Sequence, residues 1–281
     1  MVEGGKFGKE YVEKEFWEIG LALKIKIRVF LIGGCAMVFR GLKPATKDVD
    51  IVFTSLGELK EFVSTLKSLN YYEVVELPRV YEKMGVSAVL RNMDGFQCDL
   101  FYKQVCSGLE ISGGMIRRAG HLKTFGNLDV YMMSPEDVFL FKGMTERNAD
   151  LDDMRVLAGM GLNWNVIREE CLSQEKRKIW EAFLAARLSE LKAMFDIEVP
   201  ILKEFWKRAG DELVSKVFQE IVKAGKHTFE EIHEVIKNKY KYSESWTRRE
   251  LKKLVEKGIL KARKEKRRLK YFLSSESYEG G

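Results

Sequence analysis

The chain has few of the cysteine and histidine residues on which zinc-binding and disulfide-bonded domains depend. Its 281 residues include only four prolines, three histidines and four cysteines. The cysteines show no closely spaced pairs, so neither a zinc ribbon nor a disulfide framework is indicated, and reduced, mostly buried thiols are expected. The histidines are too scattered for a zinc site, since His227 and His233 are six residues apart and do not share a helical face.

Long hydrophobic runs are also missing. No run approaches the apolar length that crosses a bilayer, and the N-terminal residues lack the apolar core of a signal peptide. We therefore expect a cytoplasmic protein without a membrane partner. The length suggests more than one domain, with predicted bounds at 1–160 for the first domain, 161–210 for a helical spacer and 211–281 for a second domain.

Positive charge is concentrated at one end of the chain. From Asp211 onward there are 18 Lys and Arg residues against 12 Asp and Glu residues, so this segment carries the whole net charge of +6. A charge asymmetry of this kind indicates a polyanionic partner for the C-terminal segment.

The stretch from Val29 to Phe53 contains two halves of a possible site. An apolar run ends at Gly33-Gly34, where residues without side chains let backbone N–H groups approach a phosphate. Asp48 and Asp50 then open an apolar strand, and residues two apart in a strand point to the same face. Two neighbouring carboxylates repel each other unless a hard cation such as magnesium lies between them. Taken singly, the glycines could be an ordinary turn and the aspartates a solvated strand end.

The combined pattern resembles the nucleotidyltransferase core of the DNA polymerase β superfamily, especially small prokaryotic members related to abortive-infection toxins. It is carried by Gly33, Gly34, Ala36, Gly41, Thr46, Asp48 and Asp50. The resemblance implies an α+β fold with a mixed sheet and flanking helices. It further implies Mg²⁺ or Mn²⁺ held by Asp48 and Asp50, and a nucleoside triphosphate contacted through Gly33, Gly34 and Thr46. Lys43 stands where many relatives have an arginine.

A third acidic residue lies in a later strand. Three β-rich segments are predicted at Tyr72–Val75, Val86–Arg91 and Phe96–Tyr102. Asp94-Gly95 between the last two predicts a hairpin. Asp99 is a charged residue inside an apolar strand and needs a partner. The resemblance implies that Asp99 completes the metal site and helps to deprotonate the attacking hydroxyl; the alternatives are an edge-strand charge or a pair with Arg91.

A helix with a clear start follows the strands. Ser134 is a predicted N-cap with Pro135 at the first helical position, and the helix is expected to continue to about Gly161. Lys142, Arg147, Asp150 and Asp153 resemble a motif that follows the sheet in abortive-infection nucleotidyltransferases. The resemblance implies that Lys142 neutralises the phosphates of the triphosphate. Alternatively, Arg147, Asp150 and Asp153 hold two helices together through ion pairs.

The C-terminal segment reads as three short helices and a β-hairpin, which resembles a winged helix. Thr228 and Glu231 form a predicted capping box for the second helix, and Ser243 or Ser245 caps the third. The third helix would enter a DNA groove while the hairpin tip touches phosphate. Predicted nucleic-acid contacts are Arg248, Arg249, Lys252, Lys253, Lys266, Arg267 and Arg268. A protein-binding winged helix is the alternative.

Two functions are consistent with this sequence. The first is a metal-dependent nucleotidyltransferase that transfers a nucleoside monophosphate to a hydroxyl of RNA or protein, with a DNA- or RNA-binding C-terminal domain; the resemblance suggests a toxin–antitoxin setting. The second is a non-catalytic winged-helix regulator whose head only senses a nucleotide, because a fold does not by itself establish an activity.

Overall fold

The computed structural model describes residues 6–75, 85–106, 108–145, 147–175, 177–240, 242–265 and 268–274. The chain divides into two compact units, residues 1–176 and 177–281. Two predicted nucleic-acid contacts, Lys266 and Arg267, lie outside the described residues. Within the described ranges, none of the helices combines the length and apolar character needed to span a bilayer.

The first unit is built on a seven-stranded mixed sheet. The strands described in this unit, including two that lie outside the sheet, are β1 (Ile27–Leu31), β2 (Asp48–Phe53), β3 (Tyr72–Glu73), β4 (Ala88–Arg91), β5 (Gln97–Tyr102), β6 (Gln104–Val105), β7 (Leu109–Glu110), β8 (Gly120–Phe125) and β9 (Leu128–Met132). The sheet order is β3-β4-β5-β2-β1-β9-β8, while β6 and β7 form a separate pair. Strand β2 is antiparallel to β1 and parallel to β5. The predicted α+β class with a mixed sheet is therefore confirmed.

Seven helices accompany this sheet in the described part of the first unit. They are α1 (Lys9–Ala22), α2 (Gly33–Phe39), α3 (Leu56–Ser68), α4 (Gly113–Arg118), α5 (Pro135–Gly143), α6 (Asn148–Ala158) and α7 (Trp164–Ser173). The N-cap predicted at Ser134 is confirmed, since its side chain accepts a hydrogen bond from the Asp137 amide, and Ser55 caps α3 by accepting one from the Glu58 amide. Each cap satisfies a backbone donor that the first helical turn leaves unpaired.

Apolar side chains fill the centre of the sheet. Five of the six residues of β2 and five of those of β5 are buried, which is typical of strands covered on both faces. Fully buried aromatic rings in this unit are Phe16, Phe30, Phe53, Phe62, Phe96, Phe101, Phe125 and Phe139. Against this apolar background, the aspartates of β2 and β5 are the side chains that require an explanation.

The hairpin predicted at Asp94-Gly95 is confirmed, with a longer loop than two residues. Strands β4 and β5 are antiparallel, and Arg91 lies opposite Gln97. The five intervening residues are held by the Asn92 side chain, whose Oδ1 accepts hydrogen bonds from the amides of Asp94 and Phe96. This side-chain capping of the loop lets β5 begin at Gln97.

The prediction of one long helix from Ser134 to about Gly161 is wrong, because the structure has two helices there. Helix α5 ends at Gly143 and α6 begins at Asn148. Lys142 Nζ lies 2.7 Å from Asp150 Oδ1, whereas eight residues of continuous helix would separate their backbones by about 12 Å along the axis. The break folds α6 back so that these opposite charges meet.

The second unit contains four helices and one hairpin among its described residues. They are α8 (Arg177–Phe195), α9 (Leu202–Lys223), α10 (Phe229–Tyr240), α11 (Glu244–Glu256), β10 (Leu260–Glu265) and β11 (Arg268–Leu273). Helix α9 is kinked at Gly210, whose φ of 52° and ψ of −146° fall where L-residues with side chains are disfavoured. The break between α8 and α9 contains Val199 and Pro200, where proline disfavours a continuous helix.

Local signals in the second unit fix its helix starts. The Glu231 carboxylate accepts hydrogen bonds from the amides of His227 and Thr228, and the Glu231 amide donates to Thr228 Oγ1. The predicted capping box is thus confirmed. Ser243, one of the two predicted caps of α11, accepts a hydrogen bond from the Trp246 amide. A single bridge between Thr228 and Lys270 joins the start of α10 to the hairpin.

Candidate active site and basic face

The pairing of β2 with β5 brings three carboxylates to one face of the sheet. Asp50 lies directly opposite Asp99, and Asp48 lies opposite Gln97. Side chains at paired positions of neighbouring strands point to the same face, and Asp48 shares that face because it precedes Asp50 by two residues. The hairpin β4–β5 and the Asp-Val-Asp strand together position a compact acidic cluster.

Burial makes it energetically unfavourable for all three carboxylates of this cluster to be charged. Asp50 is 9% exposed and Asp99 is 1% exposed. Burial raises the pKa of Asp50 well above its ordinary value, and the nearby charges of Asp48 and Asp99 raise it further. Burial, together with Asp48, raises the pKa of Asp99 to about 7. The pKa of Asp48 is raised by burial, against the opposing effect of Arg147, Lys142 and Lys43.

The glycine turn lies against this cluster. Gly33 begins α2 with a φ of +60°, and a Cβ atom at that position would lie 1.9 Å from Asp50 Oδ2. A Cβ atom on Gly34 would lie 2.9 Å from the hydroxyl of Thr46. That hydroxyl donates a 2.8 Å hydrogen bond to the carbonyl of Asp48. Thr46 thus fixes the start of β2, while Gly33 lets the α2 N-terminus approach the Asp50 carboxylate.

The donor chemistry of the cluster suits a hard cation. Carboxylate oxygens are the ligands that magnesium and manganese prefer. The Asp50 carboxylate accepts no hydrogen bond from any described residue, so the fold leaves its charge without a neutral donor. In the described ranges, however, no three His, Cys, Asp or Glu side chains are already gathered as one metal-binding group. The role of Asp48, Asp50 and Asp99 as a metal site stays a prediction.

Asp99 reaches Arg91 through an intervening amide. Gln97 Nε2 donates a 2.8 Å hydrogen bond to Asp99 Oδ1, and Arg91 donates to Gln97 Oε1. Both contacts oppose the rise in the pKa of Asp99. The alternative partner considered from the sequence, Arg91, therefore acts on Asp99 at one remove and leaves the carboxylate on the face that it shares with Asp50.

Lys142 is buried in a network of ion pairs. Its Nζ lies 2.7 Å from Asp150 Oδ1 and 2.7 Å from Asp153 Oδ2, and Lys43 Nζ lies 2.5 Å from Asp153 Oδ1. Burial opposes the ammonium charge, but the two aspartates outweigh it and raise the pKa of Lys142. The ion pairs between helices foreseen as an alternative are present. A phosphate contact by Lys142 stays a prediction.

Arg147, which the sequence placed in the family-like motif and in a possible ion pair, is also a source of positive charge for the acidic cluster. Its Nε donates a 2.7 Å hydrogen bond to Asp150, and half of the side chain is exposed. The charge of Arg147 also opposes the burial that raises the pKa values of Asp48, Asp50 and Asp99. Arg147 lies in the break between α5 and α6, which the sequence did not predict. Arg147 therefore supplies positive charge to the acidic cluster from its exposed side.

The close approach of Gly33 gives a first prediction. We expect Gly33→Ala to destabilise the fold by about 2 kcal/mol or more, because the new Cβ must displace the Asp50 carboxylate as well as adopt a positive φ. Gly41→Ala is the matched control: its φ is +72°, yet no atom lies within 4 Å of its Cβ position. Urea unfolding measures both variants, and equal losses would contradict a clash at Asp50.

The raised pKa of Asp99 gives a second prediction. The Asp99 carboxyl binds its proton more tightly in the folded chain than in the unfolded chain, where the pKa of an aspartate is near 3.8. The stability from Asp99 is therefore full below about pH 4 and is lost as the pH rises through 7, by up to about 4 kcal/mol. We expect Asp99→Asn to weaken the loss of stability with rising pH when unfolding is measured in EDTA, while the raised pKa values of Asp48 and Asp50 keep part of that dependence. Parallel pH curves for the two proteins would contradict it.

Helix α11 distributes its predicted nucleic-acid contacts over two faces. Arg248 and Lys252, four residues apart, share one face. Arg249 and Lys253 share another and both pair with the buried Glu250. Arg248 pairs with Glu244 and lies 3.8 Å from the Phe229 ring centre. Arg268 is exposed at the end of the hairpin. The Arg248–Glu244 pair is exposed on both sides and therefore weak, so a phosphate can replace Glu244 as the partner of Arg248.

Comparison with known proteins bears on the second unit. The family model of the penicillinase repressor matches residues 212–278. This range runs from the second half of α9 through α10, α11 and the hairpin, and it supports the winged helix predicted from the sequence. No curated protein matches the chain.

Proposed function

We propose that the second unit binds duplex DNA and that the first unit is a metal-dependent nucleotidyltransferase. For DNA binding, support comes from the similarity of residues 212–278 to the penicillinase repressor and from the basic surface of α11 and the hairpin. In a winged helix, the third helix enters the major groove and phosphate contacts position it. Arg248 and Lys252 are the α11 residues best placed for this, since they lie away from the face that pairs with Glu250.

The DNA-binding proposal makes a third prediction. We expect Arg248→Gln with Lys252→Gln to weaken binding to a labelled duplex about tenfold. We also expect the slope of log K against log salt to fall by about 2, because each lost phosphate contact removes about 0.9. The matched control changes two exposed lysines of the first unit, Lys24→Gln with Lys60→Gln. Fluorescence anisotropy at several salt concentrations measures both.

Two outcomes would contradict the DNA-binding proposal. One is a wild-type protein that shows no salt-dependent binding to duplex DNA. The other is an equal loss of affinity in the control variant, which would attribute binding to overall charge rather than to α11.

The proposal for the first unit depends on the pairing of Asp50 with Asp99 beside Gly33. Asp48 and Asp50 would hold Mg²⁺ or Mn²⁺, which when bound supplies charge neutralisation for the triphosphate. The amides at Gly33 and Gly34 would face phosphate oxygens at the start of α2. The exposed part of Arg147 would add positive charge on the same side.

Asp99 suits the role of general base. Asp99 lies directly opposite Asp50 on the neighbouring strand, so its carboxylate would be within reach of an acceptor hydroxyl that approaches the metal held by Asp48 and Asp50. The hydroxyl oxygen would then bond to the α-phosphorus as the bond to pyrophosphate breaks, so a nucleoside monophosphate is transferred and pyrophosphate leaves. No covalent enzyme intermediate is required.

Transfer of label tests this proposal. Each of the four α-labelled triphosphates is incubated with the full chain, bulk RNA or protein, and Mg²⁺ or Mn²⁺, with EDTA as the negative control. The expected result is label in RNA or protein that depends on the metal. If no acceptor is labelled with any triphosphate while a triphosphate still changes DNA affinity, the alternative of a nucleotide-sensing regulator replaces the enzyme; the repressor similarity favours this second candidate.

A further inference from the structure

A cavity of about 730 Å³ lies within the second unit. Its walls come from α8, α9, α10 and α11, and its volume falls in the range of small-molecule sites. Four half-buried aromatic rings line it, those of Trp206, Tyr240, Tyr242 and Trp246. Neither DNA binding nor the acidic cluster of the first unit accounts for this cavity.

The rings hold one another in position. Tyr242 and Trp246 stack with centroids 4.0 Å apart and planes 14° from parallel. Trp206 meets Tyr240 and Tyr242 edge-on at 5.9 and 5.4 Å, and its indole N–H donates to the Ser189 hydroxyl. These contacts preorganise flat apolar surfaces, on which a planar ring of a ligand can stack.

The cavity also carries an excess of positive charge. Its lining side chains include six cations and a single carboxylate, Glu250. Arg249 and Lys253 share that carboxylate, and Lys239 pairs with Glu190. The remaining three lysines, at positions 192, 203 and 207, form no ion pair with any described residue. Uncompensated cations around an apolar pocket favour a ligand with several negative charges.

We propose that this cavity binds a small ligand that combines a planar ring with a phosphate group, in the chemical class of a nucleoside 5′-monophosphate. The ring would stack on the aromatic surfaces, and Lys203 and Lys207 would contact the phosphate. A volume of about 730 Å³ suits a small molecule, whereas a nucleic-acid strand requires a continuous groove. This site is independent of the carboxylate cluster, because its lining contains no set of acidic residues for a bridging metal.

The test uses the full chain in EDTA, which removes the divalent cations that the proposed site of the first unit needs. AMP, GMP, CMP and UMP are titrated by calorimetry and by tryptophan fluorescence, with adenosine and inorganic phosphate as comparison probes. We expect at least one mononucleotide to bind more tightly than both comparison probes. Lys203→Glu with Lys207→Glu should weaken that binding at least tenfold, while the control Lys237→Glu, on an exposed position outside the cavity, leaves it unchanged.

The variants keep the proposal falsifiable. Lys203 and Lys207 are exposed, so their charge reversal should retain the fold, which circular dichroism checks. Trp206→Leu should also weaken binding and quench the fluorescence response. The proposal is overturned if no mononucleotide binds, if inorganic phosphate binds as tightly, or if charge reversal has no effect. Binding that disappears in Asp50→Asn would also overturn it by assigning the ligand to the first unit.

Discussion

Replacing Asp50 with asparagine is expected to reduce metal-dependent nucleotide transfer by roughly 10³-fold, equivalent to about 4 kcal/mol of transition-state stabilisation. The physical reason is that Asp50 lies between Asp48 and Asp99 and would hold the cation that neutralises the triphosphate. An amide has nearly the same shape but lacks the charge. Initial rates of label transfer, with wild type and variant at saturating Mn²⁺, measure the effect.

Stability gives the same substitution a second readout. Burial and the two neighbouring carboxylates penalise the charge of Asp50, so Asp50→Asn should unfold at the same or a higher temperature than wild type in EDTA. Added Mg²⁺ or Mn²⁺ should raise the melting temperature of wild type and have little effect on the variant. Asp152→Asn makes the same change at an exposed position and is the control. A variant that melts well below wild type in EDTA would show that Asp50 is structural.

Replacing Lys142 with methionine is expected to cost about 3 kcal/mol of unfolding free energy. The ammonium is 6% exposed and forms ion pairs of 2.7 Å with Asp150 and Asp153. Removing one partner of a buried ion pair leaves carboxylates that have already lost their hydration. Lys142 and Arg147 together outweigh burial and lower the pKa of Asp150 to about 2. Urea denaturation at neutral pH measures the loss.

Lys43→Met serves as the control for Lys142→Met, because the two lysines pair with the same aspartate but differ in burial. Lys43 contacts the same aspartate, Asp153, but a third of its side chain is exposed, so its removal should cost less than about 1 kcal/mol. Equal costs for the two variants would contradict the role of burial. A Lys142→Met protein of unchanged stability but much weaker triphosphate binding would instead favour the phosphate contact that the resemblance implies.

Local signals in the sequence predicted much of the fold. The caps at Ser55, Ser134 and Ser243 follow from which residues can accept a hydrogen bond from a free amide, and that chemistry depends on neighbours in the chain. The break after Gly143 could not be predicted in this way. It depends on Asp150 reaching Lys142, a contact that exists only after α6 has turned back, and the intervening residues carry no proline.

In the candidate site, too, some residues could be placed from local sequence patterns, whereas others depend on contacts between distant parts of the chain. Asp48 and Asp50 could be assigned to one face from strand periodicity alone. The position of Asp99 opposite Asp50 depends on a parallel pairing between strands separated by a helix and a hairpin, which periodicity does not specify. The effect of Arg147 on the acidic cluster also required the fold. On α11, Arg249 and Lys253 line the cavity whereas Arg248 and Lys252 do not, and this division depends on how four successive helices pack together.

The arrangement of β1 has a consequence for synthesis of the chain. This strand lies between β2, its antiparallel neighbour, and β9, its parallel neighbour, and β9 ends at Met132. While the ribosome has released only the first hundred or so residues, β1 lacks one of its two neighbours and the sheet has a bare edge. Because domains fold as units during translation, an incomplete polypeptide would not display the acidic cluster in its final geometry, and truncated translation products should be inert.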